Sequence, residues 1–191
     1  MNPHIFREYD IRGVAETDLD DETIRLLGLA LGTRLGRRSE ADDLQVGVGR
    51  DIRDSSDRLF EALASGLRET GAEVVDIGVV PTPLVYFATY QHGFDGSVQI
   101  TGSHNPAEYN GFKMMEGHGP LYGETIQDLR QKMEEEDFDR GDEGELSRLD
   151  DPKGEYIDWV AENIEPGDHE VRVALDSGNG TAGLVAPDLV R

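Results

Sequence analysis

Between Leu44 and Ile100, short apolar runs alternate with stretches whose apolar residues recur at helical spacing, and this alternation restricts the fold more than any other feature. Leu44-Gln45-Val46-Gly47-Val48-Gly49, Val74-Val75-Asp76-Ile77-Gly78 and Ser97-Val98-Gln99-Ile100 read as strands. After the first comes Asp54-Ser55-Ser56, a cap for a helix with Leu59-Phe60, Leu63 and Leu67 on one face and Gly71 as its stop. After the second, Pro81-Thr82-Pro83 turns the chain into a helical stretch from Leu84 to Gln91, which ends before Gly93. The pattern predicts an α/β protein: a layered sheet flanked by helices. Ligands of such sheets gather at the carboxyl ends of strands. Arg50-Asp51, Pro81-Thr82-Pro83 and the segment after Ile100 all fall there.

The flanks add further elements. His4-Ile5-Phe6 reads as a short strand, and Asp20-Asp21-Glu22-Thr23 places acidic groups at the N-terminus of a helix carrying Ile24, Leu27, Ala30-Leu31 and Leu35. Asn110-Gly111 is a turn signal ahead of a strand, Phe112-Lys113-Met114-Met115, which would run back beside Ser97–Ile100. A helix from Glu124 to Glu136 precedes Asp137–Asp151, a polar run nearly without large apolar residues that reads as a solvated connection. Asp151-Pro152-Lys153 opens a helix with Tyr156, Ile157, Trp159-Val160 and Ile164, and Val171–Leu175 reads as a strand. This divides the chain into a domain over residues 1–150, a connecting helix over 151–168 and a segment over 169–191 that starts a second domain.

The formal charge of −22, from 40 acidic against 18 basic residues, makes nucleic acid and anionic membranes poor partners. One reading of this balance is adaptation to high salt, where self-repulsion is screened; the other is an ordinary acidic protein with one acidic connection. No apolar run approaches the roughly 18 residues of a membrane-spanning helix. Met1-Asn2-Pro3-His4 is not a secretory leader, so a cytoplasmic enzyme is the simplest expectation. Cysteine is absent, which excludes disulfides and thiolate metal sites.

The chemistry is concentrated in Thr101-Gly102-Ser103-His104-Asn105-Pro106. Gly102 lets backbone approach a ligand closely, and Pro106 keeps Asn105 extended. Ser103 is a nucleophile candidate, and the loop could turn several N–H groups toward one anion. A plain surface turn is the competing reading of these residue types. A serine hydrolase is disfavoured, because Gly-x-Ser-x-Gly is absent and adjacent Ser-His side chains seldom face each other. Lys113, one of three lysines against fifteen arginines, would lie near Ser103 across the doubled-back strands. Its ammonium could neutralise a phosphate or act as a general acid/base.

Thr101–Pro106 with Asn110-Gly111-Phe112-Lys113, preceded by Phe6-Arg7-Glu8-Tyr9-Asp10-Ile11-Arg12-Gly13 and Gly47-Val48-Gly49-Arg50-Asp51-Ile52-Arg53, resembles the N-terminal part of the α-D-phosphohexomutases, in particular the phosphomannomutase/phosphoglucomutase group. The likeness runs from Phe6 to about Gly183. It implies reversible phosphoryl transfer between the O1 and O6 positions of a hexose through a phosphorylated Ser103 and a bound hexose 1,6-bisphosphate. It also implies Lys113 as acid/base, with Arg12 and Tyr9 beside the phosphoserine and His104 as a phosphate contact or a loop brace. Thr101, Gly102, Asn105 and Arg50 would complete the phosphate-binding set. Mg²⁺ would take one oxygen of phosphorylated Ser103, its other ligands coming from an Asp-rich loop that the family carries beyond this stretch. On that basis the chain is expected to be an N-terminal fragment, with Val171–Leu175 the first strand of a second, similar domain. A silent fragment keeping only a phosphate loop is the alternative.

Gly178-Asn179-Gly180-Thr181-Ala182-Gly183 also fits the dinucleotide pattern Gly-x-Gly-x-x-Gly. The acidic ribose ligand expected about 20 residues on has no counterpart, and the resemblance assigns this stretch to a strand-turn of the second domain instead.

Overall fold

The computed structural model describes residues 1–39, 43–165, 167 and 171–190; the expected boundary between residues 168 and 169 lies outside them. Seven strands form one mixed sheet: β1 (Ile11–Val14), β2 (Gln45–Arg50), β3 (Glu73–Val79), β4 (Gly96–Ile100), β5 (Tyr109–Glu116), β6 (Gly119–Pro120) and β7 (Leu146–Arg148). Their order is β1-β5-β4-β2-β3-β7, with β6 hairpinned onto β5. The β4-β2-β3-β7 portion is parallel, and β5 runs antiparallel to both β4 and β1. The helices are α1 (Asp21–Gly36), α2 (Ser56–Arg68), α3 (Thr82–His92), α4 (Glu124–Glu135), α5 (Pro152–Asn163) and the short α6 (Ala186–Leu189).

Period-two alternation along the strands builds two cores. Val74 joins Val46, Val48, Val98 and the apolar faces of α1, α2 and α4, whereas neighbouring Val75 faces the opposite layer with Ile77, Leu84, Val85 and Phe94. On that second side α5 leans on α3, the Phe87 ring lying 5.3 Å from Tyr156 and 5.8 Å from Trp159. The Asp20 carboxylate caps α1 by accepting from Thr23 N at 2.9 Å, as the acidic start of that segment predicts.

Several expectations are corrected. His4-Ile5-Phe6 is not a strand: Pro3 starts a 3-10 turn, Pro3–Ile5, whose His4 N–H donates to Asn2 Oδ1 at 3.1 Å. Ser55 makes no side-chain cap; its hydroxyl accepts from Asn110 Nδ2 at 2.9 Å, and Ser56 Oγ donates to Asp51 Oδ1 at 2.6 Å. Asn110-Gly111 lies inside β5 rather than in a turn, because the reversal is completed earlier, in residues 101–108. Gly111 is required by packing there: a Cβ would stand 2.3 Å from the Ile11 carbonyl of β1. The Asp137–Asp151 stretch is not simply solvated. Asp137 and Asp139 each bind Arg37 at 2.7 Å, and Leu146–Arg148 adds β7 to the sheet edge.

Val171–Leu175, expected as a strand, has no secondary structure and pairs with nothing among the described residues, and its apolar side chains are exposed. A strand needs a neighbour to take its N–H and C=O groups.

The closest helix contact is α1 against α2, where a Cβ on Gly66 would lie 1.9 Å from the Arg25 carbonyl and one on Gly28 2.4 Å from the Leu63 carbonyl. Backbone cannot yield as a flexible side chain does. Gly66→Ala is therefore expected to cost at least about 1–3 kcal/mol through forced separation of the two helices, measured as a lower urea midpoint at unchanged m-value. An unchanged midpoint would contradict this packing.

Candidate functional site

Residues 101–108 leave the carboxyl end of β4 and return as β5, and their shape is set by hydrogen bonds made within the loop. Ser103 N–H donates to Thr101 Oγ1 at 2.9 Å, and Asn105 donates to the Gly102 carbonyl through both its N–H, at 3.1 Å, and its Nδ2, at 3.0 Å. Thr101 N–H is used by the Gly111 carbonyl at 2.9 Å. Within Thr101–Pro106 the expected concavity of free N–H groups is thus reduced to Gly102 and His104, which have no protein acceptor among the described residues. Most of the loop's polarity is turned the other way, carbonyls inward.

Those carbonyls converge on Arg53. Its Nη1 donates to Pro106 O at 2.6 Å and Tyr109 O at 2.8 Å; its Nη2 donates to Ser103 O at 3.1 Å and Asn105 O at 2.7 Å. A planar guanidinium with diverging N–H groups can satisfy four carbonyls at once, which an ammonium cannot do in a fixed plane. Gly102 makes this approach possible, since a Cβ there would lie 2.5 Å from Arg53 Cζ. Asp51 holds the clamp in turn: one carboxylate oxygen accepts from Arg53 Nε at 3.2 Å and Thr101 Oγ1 at 2.8 Å, the other from Arg53 N at 3.0 Å and Ser56 Oγ at 2.6 Å. Neither Arg53 nor Asp51 is in the expected site set. The signal that could have found them is Asp51-x-Arg53 at the end of β2, placed opposite Gly102.

The clamp holds Ser103 in the left-handed region at φ +54°, a conformation costly for a residue with a Cβ, of the order of 1–3 kcal/mol. The side chain is exposed, with Oγ 3.3 Å from His104 Nδ1. Adjacent side chains therefore do face each other here, because the positive φ bends the backbone between them. His104 has no second partner among the described residues, so no Ser-His-acid relay is formed.

The remaining expected residues divide into two places. Arg12 Nη2 donates to Asp10 Oδ2 at 2.5 Å, and Lys113 Nζ reaches that same oxygen at 3.3 Å, so these two cations share one buried carboxylate. Tyr9 stands beside them in sequence and is 72% exposed. Arg50 lies elsewhere, held between Asp57 and Asp76 at 2.6 Å each, its guanidinium 4.5 Å from the centre of the Phe60 ring. Burial acts against the Arg50 charge, but its bonds to Asp57 and Asp76 outweigh that and raise its pKa above the usual value. Arg50 thus has a structural partner on each side and no contact with the serine loop.

A cavity of about 650 Å³ opens over the loop, walled by Asp51, Arg53, Thr101, Ser103 and Asn105 on one side and by Gly178-Asn179-Gly180-Thr181 on the other. The glycine-rich stretch is therefore a wall of the serine cavity.

Mg²⁺ requires near-octahedral oxygen ligation including carboxylates. Ser103 supplies one oxygen, Asp51 is already bound by four donors, and no group of three or more His, Asp or Glu among the described residues could hold a metal. These residues do not make a Mg²⁺ cage.

Residues 3–140 match the family model described as phosphoglucomutase/phosphomannomutase, alpha/beta/alpha domain I. The chain belongs to this family. It is 40% identical over 96% of its length to a phosphomannomutase of Vibrio cholerae and 40% identical over 97% to a phosphomannomutase/phosphoglucomutase of Pseudomonas aeruginosa. A crystal structure of a phosphoglucomutase/phosphomannomutase family protein from Burkholderia thailandensis superposes with a TM-score of 0.90 at 36% identity, over 99% of this chain and 42% of that one. The chain spans about 40% of the length of the curated relatives it matches. Within this family fold, the Arg53 clamp ties the serine loop of β4 to the end of β2.

Arg53→Lys removes the planar donor set while keeping the charge. Faster amide hydrogen exchange across residues 101–109 and a stability loss of about 1–3 kcal/mol are expected, with exchange in α1 changed only by the global loss. Unaltered protection of the loop would contradict the clamp.

Proposed function

We propose that this chain carries the phosphoryl-accepting serine of a phosphohexomutase that interconverts hexose 1-phosphate and hexose 6-phosphate. The observation that carries the reading is Ser103: an exposed hydroxyl held at a positive φ, at the carboxyl end of a sheet strand, facing a cavity. A side chain kept in a costly backbone conformation by a purpose-built clamp is the arrangement expected of a reacting group. The names of the relatives support the same reaction class.

In the reaction, the bond between phosphorus and Ser103 Oγ breaks while a sugar hydroxyl oxygen bonds to the phosphorus. The sugar hydroxyl gives up its proton and the departing Ser103 alkoxide receives one. Lys113 is the proposed proton carrier. Arg12 is the proposed neutraliser of charge on the transferring group, where a forked cation binds phosphate oxygens best. His104, 3.3 Å from Ser103 Oγ, holds the hydroxyl or contacts the phosphate. The hexose 1,6-bisphosphate then reorients and returns its other phosphoryl to Ser103. Thr101, Gly102 and Asn105 keep the loop in shape, and Tyr9 is a proposed contact of the phosphate. In this reading residues 1–150 form the catalytic domain, residues 151–168 the connection and residues 169–191 the start of the next domain, in a cytoplasmic enzyme of sugar phosphates. No helix among the described residues is long and apolar enough to cross a membrane.

The test is ³¹P NMR of the chain with glucose 1-phosphate or mannose 1-phosphate, Mg²⁺ and a trace of the matching 1,6-bisphosphate. Appearance of the 6-phosphate signal is expected, lost on Ser103→Ala and slowed about 10²–10⁴-fold on Lys113→Met. Interconversion that survives Ser103→Ala would overturn the assignment, and a wild-type chain that binds without converting would reduce it to a phosphate-binding module.

A further inference from the structure

Arg12 and Lys113 stand on adjacent antiparallel strands, with Arg12 paired to Gly111 and Ile11 to Phe112. Two cations so placed repel each other, yet their charged nitrogens both contact one oxygen, Asp10 Oδ2, at 2.5 and 3.3 Å, and so lie within about 6 Å of one another. Asp10 precedes β1 and is 8% exposed; the Arg12 side chain is 11% exposed. Arg12 Nε is buried without an acceptor among the described residues. A guanidinium free to turn would satisfy that donor, so its orientation is dictated by Asp10.

We propose that Asp10 is a positioning residue, whose carboxylate locks the Arg12 guanidinium and the Lys113 ammonium into one cationic pair for handling the phosphoryl group. The proposal rests on the reading that Arg12 and Lys113 serve phosphoryl transfer, and it assigns a role to a residue outside that set. One negative charge between two positive ones leaves the cluster net positive, able to attract a phosphoryl dianion, while cancelling enough repulsion to keep both donors in place. Among the described residues the ion-pair partner of Lys113 is Asp10, shared with Arg12; the cross-strand neighbour on β4, Gln99, is neutral.

With three lysines in the chain, the Nζ signals of ¹⁵N-lysine-labelled protein can be followed separately by NMR at one fixed, mildly acidic pH. Asp10→Asn is expected to displace and broaden the Lys113 Nζ signal as the ammonium loses its shared carboxylate, with Lys132 and Lys153 unmoved and Asp10→Glu restoring most of the wild-type signal. Arg12→Gln should also displace the Lys113 signal, through the oxygen they share, which keeps the proposal testable if Asp10→Asn does not fold. A Lys113 signal unmoved in a folded Asp10→Asn or Arg12→Gln chain overturns the proposal. These spectra need no turnover, so a failure of the mutase reading shows separately, as absent phosphoryl transfer beside a displaced Lys113 signal.

Discussion

The serine loop depends on one guanidinium. Four carbonyl oxygens from Ser103 to Tyr109 point at Arg53, and without it they would crowd one another with no donor between them. Each charge-assisted bond contributes modestly beyond what water would offer, but removing the donor leaves several partly buried acceptors unsatisfied together. The energy gained at Arg53 offsets the cost of the left-handed Ser103, and the loop thereby presents its hydroxyl outward.

From that clamp the dependence spreads through the fold. Asp51 fixes Arg53 and binds Ser56 at the first turn of α2, and Ser56 in turn accepts from Asn110 of β5 at 3.0 Å. The serine loop, the end of β2, the start of α2 and the strand carrying Lys113 are therefore one hydrogen-bonded unit. Antiparallel β5, inserted between β4 and β1, brings Lys113 alongside the segment holding Arg12. A wholly parallel sheet would have put β5's carboxyl end, and not its entry, beside the loop.

What was legible in the sequence follows from which signals are local. The helices of Ile24–Leu35 and Leu59–Leu67 and the strands ending at Arg50, Val79 and Ile100 were readable because their apolar spacing matches one period each. The serine loop was readable because Gly, Ser and Pro in that order restrict a backbone strongly. Asn110-Gly111 misled because its turn propensity is local, whereas the burial of Asn110 and the approach of β1 at Gly111 are tertiary. β7 was missed because Leu146-Ser147-Arg148 has no periodicity of its own and is recruited by the edge of β3. Arg50 ends β2 and Arg53 follows it, and no local signal separates them; that Arg50 turns away from the serine loop is decided by Asp57 and Asp76, distant in sequence from the loop. The pairing of Asp10 with Arg12 is local, two residues apart, but its second partner, Lys113, lies more than a hundred residues away, beyond the reach of any local signal.

The central claim is that Ser103, as the clamp presents it, is the group that accepts a phosphoryl. Its most direct test is phosphopeptide mapping by mass spectrometry before and after incubation with Mg²⁺ and a hexose 1,6-bisphosphate. The account predicts phosphate on Ser103, with buried Ser97 and with Ser177 bare. Phosphate on another residue, or none on Ser103 under either condition, would contradict it.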